Sequence, residues 1–307
     1  MLMAFLLLIV GFVLLVRGAD TFVDGAVSVA RRFHIPSIVI GTTLVAIGTS
    51  APEAAISIAA ALRGSDGVSI GNIIGSNITN IFLILGMTAV IGSIPVQKNT
   101  KKYELPFVGI ITLLLCLIGM WFGMISRLAA FGFLAIFIGF ITYTIIMARR
   151  GNAPDTEYKK IPIVETIVMI VAGIAALVIG SDLTVDSAME IARYANVSER
   201  VIGLTVVALG TSLPELVVCV VAAIKREYDM AIGNIVGSNI FNILFVLGTA
   251  AAIRPLPFSD AFLTDGAIAV LAVAMLMLFT ARNSKIGRLG GIVFLLAYVI
   301  YVTYLVM

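Results

Sequence analysis

The segment GTTLVAIGTSAPE at 41–53 returns as GLTVVALGTSLPE at 203–215, with nine of thirteen positions identical. GNIIGSNITN at 71–80 returns as GNIVGSNIFN at 233–242, with eight of ten identical, and both pairs stand 162 residues apart. The same offset aligns Gly18 with Gly180, Asp20 with Asp182, Gly86 with Gly248 and Pro95 with Pro257. A chain that repeats itself along its whole length at a single offset folds as two copies of one unit.

The unit is a membrane unit. Of 307 residues 61% are hydrophobic and only 12% charged, and mean hydropathy is +1.14, which excludes an ordinary soluble domain. The apolar runs are about 20 residues long, enough to span a bilayer as helix. The sequence predicts an all-α polytopic membrane protein with ten transmembrane helices, near 1–30, 38–62, 68–92, 104–122, 126–148, 162–192, 200–224, 230–252, 261–281 and 286–306. The first run has no basic leader and outlasts a signal peptide, so it reads as a membrane helix. Residues 1–148 form the first repeat, 149–161 a cytoplasmic linker, and 162–307 the second repeat.

Five crossings per repeat is an odd number, so the second copy must be inverted relative to the first. The basic residues agree. With the N-terminus outside, the inner loops carry fourteen Lys and Arg residues against five in the outer loops. By the positive-inside rule both termini face out, in the cell membrane if the source is prokaryotic. The net charge of +3 gives no indication of nucleic acid. Cys116 and Cys219 lie in apolar segments and read as small core residues, and the single His34 excludes a histidine-rich metal cluster.

Against this background Pro52–Glu53 and Pro214–Glu215 stand out, a helix breaker and an acid in the middle of the second and seventh apolar segments. No basic residue lies nearby on either helix to pair with the acid. A kinked helix with a snorkelling acid is one reading. A cation site is the sharper one, because two carboxylates neutralise one divalent ion and hard cations take oxygen ligands. The prolines lack a donor, which would free carbonyls near Ala46–Thr49 and Ala208–Thr211, and Thr49, Ser50, Thr211 and Ser212 add hydroxyls. In the third and eighth segments, Gly71 and Gly75, like Gly233 and Gly237, have the four-residue spacing of close helix packing. Asn72, Asn77, Asn234 and Asn239 read equally as bonds across such a contact or as ligands. Ser76 with Asn80, and Ser238 with Asn242, share a helix face and are expected to point at the ion.

The paired GTS-x-PE and GN-xx-GSN motifs resemble the two alpha repeats of the calcium/cation antiporter superfamily, in its sodium/calcium exchanger branch. The resemblance covers essentially the whole chain. It implies a secondary antiporter exchanging calcium for sodium by alternating access, with the first and sixth helices sliding past a core of four helices. It implies calcium held by Glu53, Glu215 and the Thr49 and Thr211 carbonyls. Sodium sites would add Ala46, Ser50, Ser76, Ala208, Ser212 and Ser238, with Asn80 and Asn242 completing the centre. Family members often carry aspartate where this chain has Asn242, so the core holds two formal charges at most, which bears on stoichiometry and on potassium dependence. The proton-coupled branch usually has asparagine at the positions of Thr49 and Thr211, which favours sodium here.

The expected partners are therefore calcium and sodium ions as cargo and membrane lipid as surround, with no cofactor, nucleic acid or protein partner. A channel would explain the acids but not the inverted halves. An intramembrane enzyme lacks a serine–histidine pair or catalytic aspartate motif in the core. Asp20, Asp24, Asp182 and Asp186 read as solvated helix-end charges, or as an ion vestibule. Arg17, whose counterpart is Ile179, is placed to pair with Asp20 at i+3.

Overall fold

The computed structural model describes residues 2–150, 161–195 and 208–306. The chain is an all-helical polytopic membrane protein. In order it runs α1 (Leu2–Arg32), α2 (Ser37–Thr49), α3 (Ala51–Arg63), α4 (Asp66–Ile91), β1 (Ile94–Pro95), α5 (Thr100–Phe122), β2 (Met124–Ile125) and α6 (Arg127–Arg150). It continues with α7 (Ile163–Tyr194), the short α8 (Ala208–Gly210), α9 (Leu213–Ile224), α10 (Tyr228–Ile253), β3 (Leu256–Pro257), α11 (Asp260–Asn283), β4 (Lys285–Ile286) and α12 (Arg288–Val306).

Among the described residues eight helices are long and apolar enough to cross a membrane, and α2 with α3 makes a ninth span bent by 50°. The tenth expected segment, 200–224, lies partly outside the described residues. Its described helix α9 has 12 residues, about 18 Å at 1.5 Å per residue and too short alone for a hydrocarbon core of about 30 Å. Most of the expected linker at 149–161 also lies outside them.

Burial sorts the helices into an inner and an outer set. The most apolar window of α4 is 78% buried and that of α10 is 94%, while those of the other long helices lie between 22% and 39%. The outer helices turn Trp121, Leu128, Val164 and Leu278 outward, as a surface solvated by lipid allows. α4 and α10 are thus the core, and they carry the GN-xx-GSN motifs. Both loosen into a wide π-helical turn at the same place, Asn80–Leu85 and Asn242–Leu247, a feature that often marks functional positions.

α1 and its counterpart α7 pack antiparallel along a glycine seam. A Cβ on Gly11 would meet the Gly180 carbonyl at 2.9 Å, one on Gly18 the Gly173 carbonyl at 3.0 Å, and one on Gly25 the side chain of Ile170 at 2.9 Å. As the number rises along α1 it falls along α7. The halves are also stitched by exchange of strands: β1 pairs with β4, Ile94 opposite Ile286, and β2 with β3, Ile125 opposite Leu256.

Two expectations need correction. The second segment breaks at Ser50 (φ −83°, ψ 10°), not at its proline. Pro52 is the second residue of α3, within the first turn, where the missing N–H costs nothing. Arg17 does not pair with Asp20 among the described residues. Asp20 and Asp24 instead share Lys225, whose Nζ lies 2.7 Å and 2.5 Å from their carboxylates.

The glycines of α10 test the packing. A Cβ on Gly237 would stand 2.5 Å from the Thr42 carbonyl oxygen and 2.6 Å from its Cα, both backbone atoms that cannot swing aside. Gly237→Ala is expected to cost about 1–3 kcal/mol by overpacking, read as a lowered thermal midpoint in detergent. Gly132→Ala, with nothing within 4 Å among the described residues, should change it little. Equal midpoints for the two variants would refute the close approach of α2 to α10.

Candidate ion-binding site

The break at Ser50 starts a new helix in the middle of the bent span, and α9 starts in the same way after Ser212. Glu53 is the third residue of α3 and Glu215 the third of α9. Each acid therefore sits in a first turn, where unpaired N–H groups and the helix dipole favour a negative charge. Both side chains are 1% exposed.

Each acid is held by a serine of the other repeat. Ser50 Oγ donates to Glu215 Oε1 at 2.7 Å, and Ser212 Oγ donates to Glu53 Oε1 at 3.3 Å. Ser238 Oγ lies 2.9 Å from Ser50 Oγ, and Ser76 approaches the Glu53 carboxylate. Thr49 Oγ1 is 3.1 Å from Asn234 Oδ1. The centre is a second reciprocal pair. Asn80 Nδ2 donates to Asn239 Oδ1 at 3.0 Å, Asn242 Nδ2 donates to Asn77 Oδ1 at 3.1 Å, and Asn77 Nδ2 reaches the Asn239 carbonyl at 3.3 Å.

These bonds satisfy donors and leave acceptors over. Glu53 Oε2, Glu215 Oε2, Asn80 Oδ1 and Asn242 Oδ1 are buried and have no hydrogen-bond partner among the described residues, as is true of Thr211 Oγ1. An unpaired buried acceptor costs about 1–3 kcal/mol, more when charged. Oxygen acceptors left without donors are the kind of ligand that a hard cation takes.

The structure brings together Glu53, Glu215, Thr49, Ser50, Ser212, Ser76 and Ser238, while Asn80 and Asn242 bond Asn239 and Asn77, which follow Ser238 and Ser76 in the chain. The Ala46 carbonyl, expected to be free, accepts the Ser50 N–H at 3.0 Å. Ala208 opens the short α8 ahead of the break. The asparagines open to two readings act as braces: Asn77 and Asn239 orient Asn242 and Asn80, Asn72 bonds Ser57 Oγ at 2.9 Å, and Asn234 bonds Cys219 Sγ at 3.2 Å. A cavity of about 400 Å³ reaches the site past Ser76 and Thr211, lined also by Asp265 and Tyr298. Neither belongs to a motif. The only signal in the sequence is that Asp265 is the lone acid within the apolar run 261–281.

The family model for the sodium/calcium exchanger protein matches the chain over two ranges, residues 3–146 and 165–307. The chain belongs to the sodium/calcium exchanger family. It is 40% identical to the putative antiporter CaxA of Alkalimonas amylolytica, over 98% of each chain. It is 32% identical to the sodium/calcium exchanger MaX1 of Methanosarcina acetivorans, again over 98% of each. The solved structure of the sodium-calcium exchanger NCX_Mj soaked with Na+ and Sr2+ superposes with a TM-score of 0.87 at 36% identity, covering 98% of both chains. Members of the family are cation antiporters, integral to the membrane and not enzymes.

The asparagine braces make a specific claim about stability. Asn239→Ala removes the acceptor of Asn80 Nδ2 and leaves that donor buried, at a cost of about 1–3 kcal/mol. Thermal unfolding in detergent should show the loss, and an unchanged midpoint would mean that the asparagine pair does not hold the core.

Proposed function

We propose that the chain exchanges calcium for sodium by alternating access, with both ions competing for one site between α3, α4, α9 and α10. The observation that carries this reading is the set of four orphaned acceptors, Glu53 Oε2, Glu215 Oε2, Asn80 Oδ1 and Asn242 Oδ1. Calcium binds the two glutamates with the Thr49 and Thr211 carbonyls. Sodium uses the same carboxylates together with Ala46, Ser50, Ser76, Ala208, Ser212 and Ser238, and the Asn80–Asn242 pair completes the centre.

Coupling follows from electrostatics. Two carboxylates cannot remain charged and uncompensated in a medium of low dielectric. One calcium or two sodium ions supply the missing charge, so an empty carrier resists the switch between faces. Asn80 and Asn242 are neutral, and a third sodium would leave net positive charge in the core. The bare count therefore favours an electroneutral exchange of two sodium ions for one calcium.

The protein crosses the cell membrane ten times as two inverted five-helix halves, 1–148 and 162–307, joined by a cytoplasmic linker at 149–161, with both termini outside. The antiparallel packing of α1 on its counterpart α7 supports the inversion, and the excess of basic residues on one face supports the orientation.

In proteoliposomes an outward sodium gradient should drive calcium uptake, and Glu53→Gln or Glu215→Gln should each reduce it at least about 100-fold, because each leaves a single carboxylate for a divalent ion. A potential-sensitive dye should stay silent during the wild-type flux. Near-normal flux in either variant refutes the site, and a potential that follows the sodium gradient refutes the two-for-one count. Topology has its own check. Single cysteines near Met1 and Met307 should react with an impermeant reagent applied to intact cells, and one in the 149–161 linker should be protected. The opposite pattern reverses the orientation.

A further inference from the structure

Five buried residues close a circuit around one half of the ion site. Glu215 and Cys219 stand four apart on α9 and so share a face of that helix. Ser50 Oγ donates to Glu215 Oε1 at 2.7 Å. Ser50 follows Thr49 in the chain, and Thr49 Oγ1 donates to Asn234 Oδ1 on α10 at 3.1 Å. Asn234 Nδ2 donates to Cys219 Sγ at 3.2 Å, which returns the path to α9. The Cys219 thiol in turn donates to the Ala231 carbonyl at 3.6 Å, three residues before Asn234 on α10. None of the five is more than 1% exposed.

The links depend on one another. Thr49 ends α2, and its hydroxyl also lies 3.1 Å from the Val45 carbonyl and 3.4 Å from the Ala46 carbonyl, both in its own helix. A hydroxyl has one hydrogen to give, so these acceptors compete with Asn234. Left to itself the hydroxyl bonds back within its helix. The Asn234 oxygen gives it an acceptor on another helix and ties the end of α2 to α10. An amide presents both of its ends at once, so Oδ1 faces Thr49 while Nδ2 is taken by the sulfur. Cys219, read from the sequence as a small core residue, is thus the acceptor that orients Asn234.

The other repeat draws the same positions differently. Ser57 stands where the second repeat has Cys219, and Asn72 Nδ2 donates to Ser57 Oγ at 2.9 Å and to the Glu53 carbonyl at 3.3 Å. Ser212 reaches Glu53 Oε1 at 3.3 Å, against 2.7 Å between Ser50 and Glu215. The Glu215 half is the more tightly drawn, and it is the half closed through a sulfur atom.

We propose that Asn234, held by Cys219, is a positioning residue of the ion site. It fixes Thr49 and Ser50 against Glu215, and so sets how tightly this half of the site takes a divalent cation, calcium. The circuit encloses an acceptor without a donor, since Glu215 Oε2 has no hydrogen-bond partner among the described residues. Neither Asn234 nor Cys219 touches the ion. Both act through Thr49, whose carbonyl is a calcium ligand in the reading above, in the way that outer residues orient metal ligands. Loss of the sulfur leaves Asn234 Nδ2 buried without its acceptor. The amide then turns to find another, and the Thr49 hydroxyl loses its hold on α10. The identity of the ion rests on the antiporter reading, but the circuit does not.

Calcium binding to the full chain is titrated in detergent without sodium. Asn234→Ala and Cys219→Ala should each weaken it about tenfold or more. Cys219→Ser should bind as the wild type does, because a serine hydroxyl is the acceptor that Asn72 already uses in the other repeat. Alanine and serine leave nearly the same gap, so a role in packing alone predicts equal losses. Equal affinities for the two Cys219 variants, or an unchanged affinity in Cys219→Ala, overturn the proposal. The circuit has a separate readout in the infrared S–H band of Cys219, taken in a Cys116→Ala background where it is the one thiol. Thr49→Val removes no group bonded to the sulfur, and it should still shift the band through Asn234. An unmoved band also overturns the proposal. Wild-type protein that binds no calcium, together with a band that shifts in Thr49→Val, would refute calcium as the ion of the site and leave the positioning circuit standing.

Discussion

Everything in this fold answers to two carboxylates that lipid cannot solvate. Glu53 and Glu215 are each 1% exposed. Burying such a pair without compensation costs several kcal/mol per ion even after relaxation. The protein lowers that cost in two ways. It begins a helix at each acid, so that N–H groups and a positive dipole end face the charge. It also crosses the serines, giving each acid a donor from the other repeat. Neither device cancels the charge. A mobile cation completes the compensation in the proposed cycle, which is why a site of this kind couples the movement of one ion to another.

The helix breaks, the π-helical turns and the glycines serve the same end. A continuous helix at Ser50 would spend the N–H groups of α3 on its own backbone. The break releases them, and it stays inside the protein, where irregular backbone is tolerated at membrane depth. The wide turns beginning at Asn80 and Asn242 lie beside the asparagine braces. Gly233 and Gly237 bring α10 within backbone contact of α2, close enough for Thr49 to meet Asn234.

Much of this was legible in the sequence, for a physical reason. The duplicated motifs place an acid and a breaker where lipid penalises both, so the residues announce a site whatever their partners. Hydropathy gave the membrane class and the span limits, because a helix must cover the hydrocarbon thickness. What was not legible depends on contacts between segments distant in the chain. The sequence could not say that Asn77 and Asn239 brace their neighbours, because either role needs the same residue on the same face. It put the break at Pro52, since proline is the visible breaker, but the first turn of a helix accepts proline and the bend moved to Ser50. Arg17 is correctly spaced for Asp20, yet Lys225 arrives from the other repeat and takes both α1 aspartates. Asp265 and Tyr298 reach the cavity from outside any repeated motif.

The strands and the core bonds share one further property. Subtract the offset from the second repeat and the Asn80–Asn239 bond becomes the Asn242–Asn77 bond, as the Ser50–Glu215 bond becomes the Ser212–Glu53 bond. The strands exchange too, as elements, β1 with β4 and β3 with β2. A contact in which residue i meets j while j meets i is the rule of an isologous interface, the kind that joins identical subunits about a two-fold axis. The centre of this single chain is therefore built like the interface of a homodimer. The two copies nonetheless differ: Ser57 on one side is Cys219 on the other, and among the described residues Lys225 pairs with its aspartates while Arg63 forms no such pair. The symmetry is thus kept where the oxygens meet and relaxed on the helices around them.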